Sequence, residues 1–330
     1  MNITGCMLSE EGEFKKMKKI IKTWIPLIGF TFSVSAQSTV STPIVGFEKQ
    51  SFAAGTTGHG MGFVKAAKYQ GTASSVTGNS LSVSAALFAA NELAPANGLP
   101  SYYIQITSGT QTGLVVDIIG NTTTQLNVAT GDLAAVSGTP SFVVRPHVKV
   151  SDLFRGNTDL GDYSDTITLY NADGSTTVLL RDSSQTTGWL DAVSFSASDA
   201  VVYPGQAYLL STSTAGTFTT TGVVNSSATI VPIYAGLVNL VSLSNPSSGK
   251  NIQQVNLGAN LSDYADTVGT FTNDGQLNQD NSLLWAGATD GFLDSVTFAT
   301  ASGVTAGGTA AIIVNASSDT TWSQPSPLAP

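Results

Sequence analysis

Two stretches of this chain, about one hundred residues apart, are near copies of each other. Tyr163-Ser164-Asp165-Thr166 returns as Tyr264-Ala265-Asp266-Thr267, an offset of 101 residues. Asn171-Ala172-Asp173-Gly174 is matched by Thr272-Asn273-Asp274-Gly275 at the same offset. Trp189-Leu190-Asp191-Ala192-Val193-Ser194-Phe195 is matched by Phe292-Leu293-Asp294-Ser295-Val296-Thr297-Phe298, now offset by 103. Self-similarity at a nearly constant period implies one supersecondary unit used twice. The small drift in offset confines insertions to loops and keeps the strands in register.

Within these stretches the residue pattern is that of strand and turn. Ile167 and Leu169 alternate with Thr166, Thr168 and Tyr170 before the chain turns at Asp173-Gly174. Val178 to Leu180 reads as the returning strand, matched by Leu283 to Trp285. Pro204-Gly205 has type II turn chemistry ahead of a strand from Ala207 to Leu210, with Ala306-Gly307 ahead of Ala310 to Val314. Continuing the two-residue alternation puts Trp189, Val193 and Phe195 on one strand face, and Phe292, Val296 and Phe298 on its counterpart. On that reading Phe195 and Phe298 are core, and truncating either costs about 3–5 kcal/mol.

The region before the repeats carries its own strands. Ser74 to Val83 reads as a hairpin around Gly78-Asn79, with positive φ available at the turn. Further strands are expected at Tyr102 to Thr107, Leu114 to Ile118, Gln125 to Val128 and Phe142 to Val144, and one helix at Ala85 to Leu93. Five or six such strands suit a small barrel. The fold class expected is therefore all-β: a small barrel-like amino-terminal domain followed by a two-repeat β-sandwich region. The divisions expected are 37–150 for the barrel, 151–235 and 236–323 for the repeats, with a linker at Ile230 to Pro246, and a Pro-rich tail at 324–330.

Residues 1–36 read as a targeting segment. Lys15, Lys16, Lys18, Lys19 and Lys22 precede an apolar run from Trp24 to Val34, and Ser33-Val34-Ser35-Ala36 offers a small-residue cleavage site before Gln37. Met17 would make the more usual start for such a segment. The run is shorter than the roughly 20 residues a membrane span needs. After cleavage the chain would carry no cysteine, because Cys6 is the only one. Its stability would come from packing and ladders rather than disulfides, and no thiolate would be available to a metal.

Charge is sparse and uneven. Residues 151–330 hold fifteen Asp, no Glu, and only Arg155, Arg181 and Lys250 as cations. A surface of that sign is unsuited to nucleic acid. Asp in place of Glu fits a chain of turns rather than helices.

Several short motifs together resemble an uncharacterised family of exported all-β proteins from verrucomicrobial-type bacteria. They are Gly71-Thr72-Ala73-Ser74-Ser75-Val76-Thr77-Gly78-Asn79, Tyr102-Tyr103-Ile104-Gln105-Ile106-Thr107-Ser108-Gly109, Arg145-Pro146-His147, Val202-Tyr203-Pro204-Gly205-Gln206, and Val238-Asn239-Leu240-Val241 with Asn245-Pro246. The resemblance implies an amino-terminal β segment, two tandem repeats and an extracellular address, and implies no catalytic residue. The second repeat departs from the pattern, with Ala306-Gly307-Gly308 where a Pro-Gly turn is expected.

Candidate chemistry is limited. No Gly-x-Ser-x-Gly elbow occurs. His59, in the Gly-rich run Gly55 to Gly62, reads as an exposed residue of a tight turn, or alternatively as a ligand or metal contact. His147 reads as a hydrogen-bonding residue at a domain junction. Asp159, Asp162, Asp165, Asp263, Asp266, Asp274 and Asp280 lie in oxygen-rich loops of the kind that hold calcium, although neither EF-hand nor nonapeptide spacing is present. The alternative is turn capping by their side chains. Asp191 and Asp294 fall in phase with apolar strand faces, and are read as bonding backbone amides where a strand begins. The expected role is a secreted structural or adhesive protein of the cell surface, acting on itself, on other surface proteins or on polysaccharide. The alternatives are a carbohydrate-binding module and an Asp-dependent glycoside hydrolase.

Overall fold

A computed structural model describes residues 43–154, 156–244, 246, 250–306 and 310–326. The expected targeting segment and cleavage site before Gln37, Cys6, Asn245, the expected turn at Gly307-Gly308 and the last four residues of the tail lie outside the described residues. The chain is nearly all β, built from antiparallel sheets, none of which closes into a barrel. Among the described residues no helix is long and apolar enough to cross a membrane.

Strands β1 (Val45–Phe52) and β2 (Gly55–Gly60) come first. There follow β3 (Tyr69–Thr72), β4 (Ser75–Thr77), β5 (Ser80–Ser82), β6 (Tyr102–Ile106), β7 (Val115–Asp117), β8 (Gly120–Asn121), β9 (Gln125–Asn127) and β10 (Ser141–Pro146). These eight make two four-stranded sheets, β3-β10-β6-β7 and β4-β5-β9-β8. Leu81, Ile104, Ile106, Ile118, Leu126 and Phe142 fill the core between them. Two open sheets replace the expected barrel, because the edge strands β3 and β7 of one do not pair with β4 and β8 of the other.

The helix expected at Ala85 to Leu93 does not form; the segment is a string of turns. Asn121 holds it, accepting a hydrogen bond from Leu93 N at 2.9 Å and donating to the Ala89 carbonyl at 2.7 Å. The hairpin at Gly78-Asn79 forms as expected, but neither residue takes a positive φ.

The chain then runs through β11 (Val148–Lys149), α1 (Val150–Leu153), β12 (Thr166–Tyr170), β13 (Thr176–Arg181), β14 (Trp189–Asp191), β15 (Val201–Val202), β16 (Ala207–Thr212) and β17 (Gly216–Val223). The last stretch holds β18 (Thr229–Ile233), β19 (Asn239–Val241), β20 (Lys250–Asn251), β21 (Thr267–Phe271), β22 (Gln279–Trp285), β23 (Phe292–Asp294), β24 (Thr305–Ala306), β25 (Ile312–Asn315) and β26 (Thr320–Gln324). Two 3₁₀ turns, Ile252–Gln254 and Leu257–Asn260, lie between β20 and β21.

The pairing corrects the expected boundaries. One five-stranded sheet runs β14-β13-β12-β16-β2, and the other β23-β22-β21-β25-β19. Strand β1 pairs with β17 as β18 pairs with β26, and β11 pairs with β15 as β20 pairs with β24. The first unit therefore takes β1 and β2 from ahead of the residue-69-to-146 domain, which sits as an insertion between β2 and β11. A division at residue 150 would cut through this unit. Likewise the expected linker from Ile230 contributes β18 and β19 to the second unit.

Each unit has its own core. Phe52, Phe154, Ile167, Leu179, Trp189, Tyr208 and Phe218 fill the first. Ile233, Val268, Leu283, Phe292, Ile312, Val314 and Trp322 fill the second. A smaller cluster, Ala207, Leu209, Leu240 and Ala311, joins the outer faces of the two large sheets. There Gly58 faces Ala311, and a Cβ at Gly58 would come within 2.7 Å of the Ala311 side chain. Gly58, and Gly55 against Gly275, thus permit close approach of the second unit, in a strand rather than a tight turn.

Phe195 and Phe298 are not core: they are 62% and 60% exposed. The strand face was extended too far, because β14 and β23 stop at Asp191 and Asp294. Asp191 Oδ1 accepts from the amides of Val193 and Ser194 at 3.1 and 2.7 Å, and Asp294 Oδ1 from those of Val296 and Thr297 at the same two distances. These carboxylates do bond backbone amides, but at the strand's end rather than its start. The reversed chain puts Phe195 and Phe298 at φ 54° and 57°, pointing Val193 and Val296 into solvent.

Candidate functional site

A cleft of about 600 Å³ opens where the inserted domain and the two units meet. Its aromatic wall is Tyr170, Tyr203 and Tyr234; its polar groups include Asp117, Asp132 and Asn171. Tyr203 is placed by the Pro204-Gly205 turn. Gly205 takes φ 85°, which a type II turn requires at its third position, and Gln206 N donates to Tyr203 O at 3.0 Å. The Gln206 side chain accepts from Tyr203 N and donates to the Tyr170 carbonyl, tying two of the tyrosine-bearing segments together. Asn239 braces the third, accepting from Tyr234 N and donating to Tyr234 O, each at 2.8 Å.

The Tyr203 hydroxyl donates to Asp117 Oδ2 at 2.7 Å. Burial, and then the Asp117 charge, pushes this phenol well above its usual range, so it stays protonated as donor. The other oxygen of Asp117 lies 2.9 Å from His147 Nε2, close enough for an ion pair when His147 is protonated but outside hydrogen-bond geometry. His147 is buried at the junction, packed between Tyr103 and Tyr203 at ring separations of 4.9 and 5.1 Å. Its ring makes none of the expected junction hydrogen bonds among the described residues; its backbone amide only continues the β10–β6 ladder, donating to Ser101 O at 3.0 Å. Across the cleft, partial desolvation and then the charge of Asp117 raise the carboxyl of Asp132. A rigid wall of amphipathic rings beside fixed acceptors suits a ligand with apolar faces and hydroxyl edges.

His59 is elsewhere and is not exposed. It lies in β2 at 2% exposure, with Nδ1 3.0 Å from Gln50 Oε1 and Nε2 2.9 Å from Thr57 Oγ1. Its ring stacks on Tyr208 and meets Phe218 edge-on, inside the core of the first unit.

The seven candidate calcium ligands are dispersed, each in its own local surroundings. Asp159 accepts from Thr217 N, Asp162 from Ser183 N, and Asp274 from Gln276 N. Asp280 accepts from the Thr272 hydroxyl, and Asp263 lies beside Gly287. Asp165 and Asp266 are fully buried and hold equivalent loops. Asp165 accepts from Gly161 N and Ser213 N at 2.8 and 2.9 Å, and Asp266 from Ser262 N and Ser317 N at 2.8 and 2.7 Å. Among the described residues no three His, Cys, Asp or Glu side chains converge as a metal-sized group. Asp165→Ala or Asp266→Ala should lower unfolding free energy by about 3 kcal/mol, because two part-buried amides lose a buried, charged acceptor. Urea unfolding measures it, and a loss within about 0.5 kcal/mol, as for an ordinary surface change, would remove the loop-tying role.

The tyrosines of the cleft carried no signal of their own in the sequence. The Pro204-Gly205 turn marked the position of Tyr203, but nothing local pointed to Asp117, 86 residues away. No family of known proteins, no curated protein and no solved structure matches this chain.

Proposed function

We propose that this is an exported, non-catalytic adhesive protein that holds a polysaccharide segment in the cleft between its three β modules. The observation that carries the reading is the wall of Tyr170, Tyr203 and Tyr234 beside Asp117, Asp132 and Asn171. Sugar rings offer an apolar face to an aromatic ring and hydroxyl edges to carboxylates and amides. A hydrolytic role would need two unengaged carboxylates about the cleft. Asp117 is instead held through Oδ2 by the Tyr203 hydroxyl, which favours a fixed acceptor for binding over bond cleavage. Export is supported by the Lys-rich and apolar residues ahead of Gln37. The matching strand order of the two units supports reading them as copies of one module.

The test is retention of the exported protein on insoluble and soluble polysaccharides, read by depletion and by affinity electrophoresis. Tyr234→Ala should weaken retention about tenfold, roughly 1.4 kcal/mol, while leaving the melting temperature near that of the wild type. Absence of retention on any polysaccharide, or equal retention by the variant, would remove the cleft reading.

A further inference from the structure

The two units part company at one buried position. Arg181 stands opposite Trp189 at the end of β13, and Trp285 stands opposite Phe292 at the end of β22. In the second unit the Trp285 indole lies directly on Gly258, which has no side chain to obstruct it, and packs 4.9 Å from the Phe292 ring. In the first unit Asn157 replaces that glycine and a guanidinium replaces the indole. The space is then open, a cavity of about 540 Å³ separate from the tyrosine cleft.

Arg181 is 6% exposed and lies 5.6 Å from the Trp189 ring centre. A guanidinium carries five N–H donors. Nη1 donates to Gly188 O at 2.8 Å and Nη2 to Asn157 O at 3.4 Å, while Nε makes no hydrogen bond among the described residues. The Asp162 carboxylate is 4.0 Å from Nε and already accepts from Ser183 N and Oγ at 2.8 and 2.6 Å. A buried cation with most donors unspent is costly. The aromatic pair of the second unit shows that the fold can be built without it.

We propose that this cavity binds a carboxylate carried on a hydroxyl-rich ligand, a uronic acid residue being the class. Nε–H is buried beside Asp162, but Nη1 and Nη2 each keep one N–H beyond their bonds to Gly188 O and Asn157 O, and this end-on pair forms a fork that matches two carboxylate oxygens. Asn157, Ser183, Gln185 and Thr187 line the rest with amides and hydroxyls. Asp162 at the rim, with Asp182 three residues before Gln185, opposes simple anions. The ligand must therefore gain from its hydroxyls as well as from its charge. This site stands independently of the tyrosine cleft.

The experiment is a titration of the exported protein with glucuronate, acetate and glucose, followed by amide NMR. Glucuronate should give saturable shifts at residues 183–188, acetate should bind at least tenfold more weakly, and glucose should leave these amides unmoved. The double variant N157G/R181W copies the Gly258–Trp285 arrangement and should lose glucuronate binding at least tenfold. R181K keeps the charge but not the fork, so it should lose about tenfold while melting near the wild type; it decides the matter if the double variant does not fold. Absence of saturable shifts with glucuronate, equal binding of glucose, or undiminished binding by R181K would overturn the proposal.

Discussion

Lowering the pH from 6.5 toward 4 should weaken the fold by about 3 kcal/mol, and His59 should be the cause. Burial lowers the His59 pKa from 6.5 to about 4. Between those values the unfolded chain takes up a proton that the folded chain refuses. Stability therefore rises with pH across this window, is fully present above 6.5, and is lost as pH falls toward 4. Glu92 and Asp182 are both held at about 2, Glu92 chiefly by Lys68 and Asp182 chiefly by Ser184. Their losses come at lower pH and do not mask this one.

The second unit supplies the control. Gln50 faces Phe218 as Val231 faces Trp322, and His59 faces Tyr208 as Val241 faces Ile312. The hydrogen-bonded pair Gln50 and His59 thus occupies the places of two valines. His59→Val alone should destabilise by about 1–3 kcal/mol at neutral pH, because it strands the Gln50 amide. The double variant Gln50→Val with His59→Val should return to within about 1 kcal/mol of wild type, since removing both partners can be nearly neutral. It should also lose the acid-sensitive window. Urea midpoints at several pH values decide this, and an unchanged pH slope in the double variant would assign the effect to another group.

Truncating Trp189 or Phe292 to alanine should cost about 3–5 kcal/mol, while the same change at Phe195 or Phe298 should cost less than about 0.5 kcal/mol. Trp189 and Phe292 are 0% and 1% exposed, and each anchors the centre of its unit's core. Phe195 and Phe298 project from turns into solvent at positive φ. Phe195→Gly should even gain stability, because glycine adopts that φ without steric cost. Thermal and urea unfolding of the four alanine variants measures the contrast. Comparable losses at all four positions would place the exposed rings in a packed interface instead.

These outcomes separate what is local from what is not. The all-β class was legible because alternation over five residues, as in Ile167 and Leu169 of β12, is a local property of the pleat. The turns at Gly174 and Gly205 were legible for the same reason, since a positive φ limits the residues that fit. Alternation fails at Asp191, where a side chain accepting two amide hydrogen bonds reverses the chain and sends the next apolar residues outward.

Pairing between distant strands has no local signature. The partners β1 and β17 are separated by the whole inserted domain, and a strand's apolar pattern says which face is buried but not which neighbour it joins. The same holds for His59, whose neighbour Gly58 reflects the approach of Ala311 from the other unit. It holds for the tyrosine cleft and for the Arg181 cavity, whose walls come from segments brought together only by packing. Sequence by itself determined the all-β class and the turns at Gly174 and Gly205. Tertiary structure alone decided which strands joined, which aromatics were buried and where open space remained, because each depends on contacts between segments far apart in the chain.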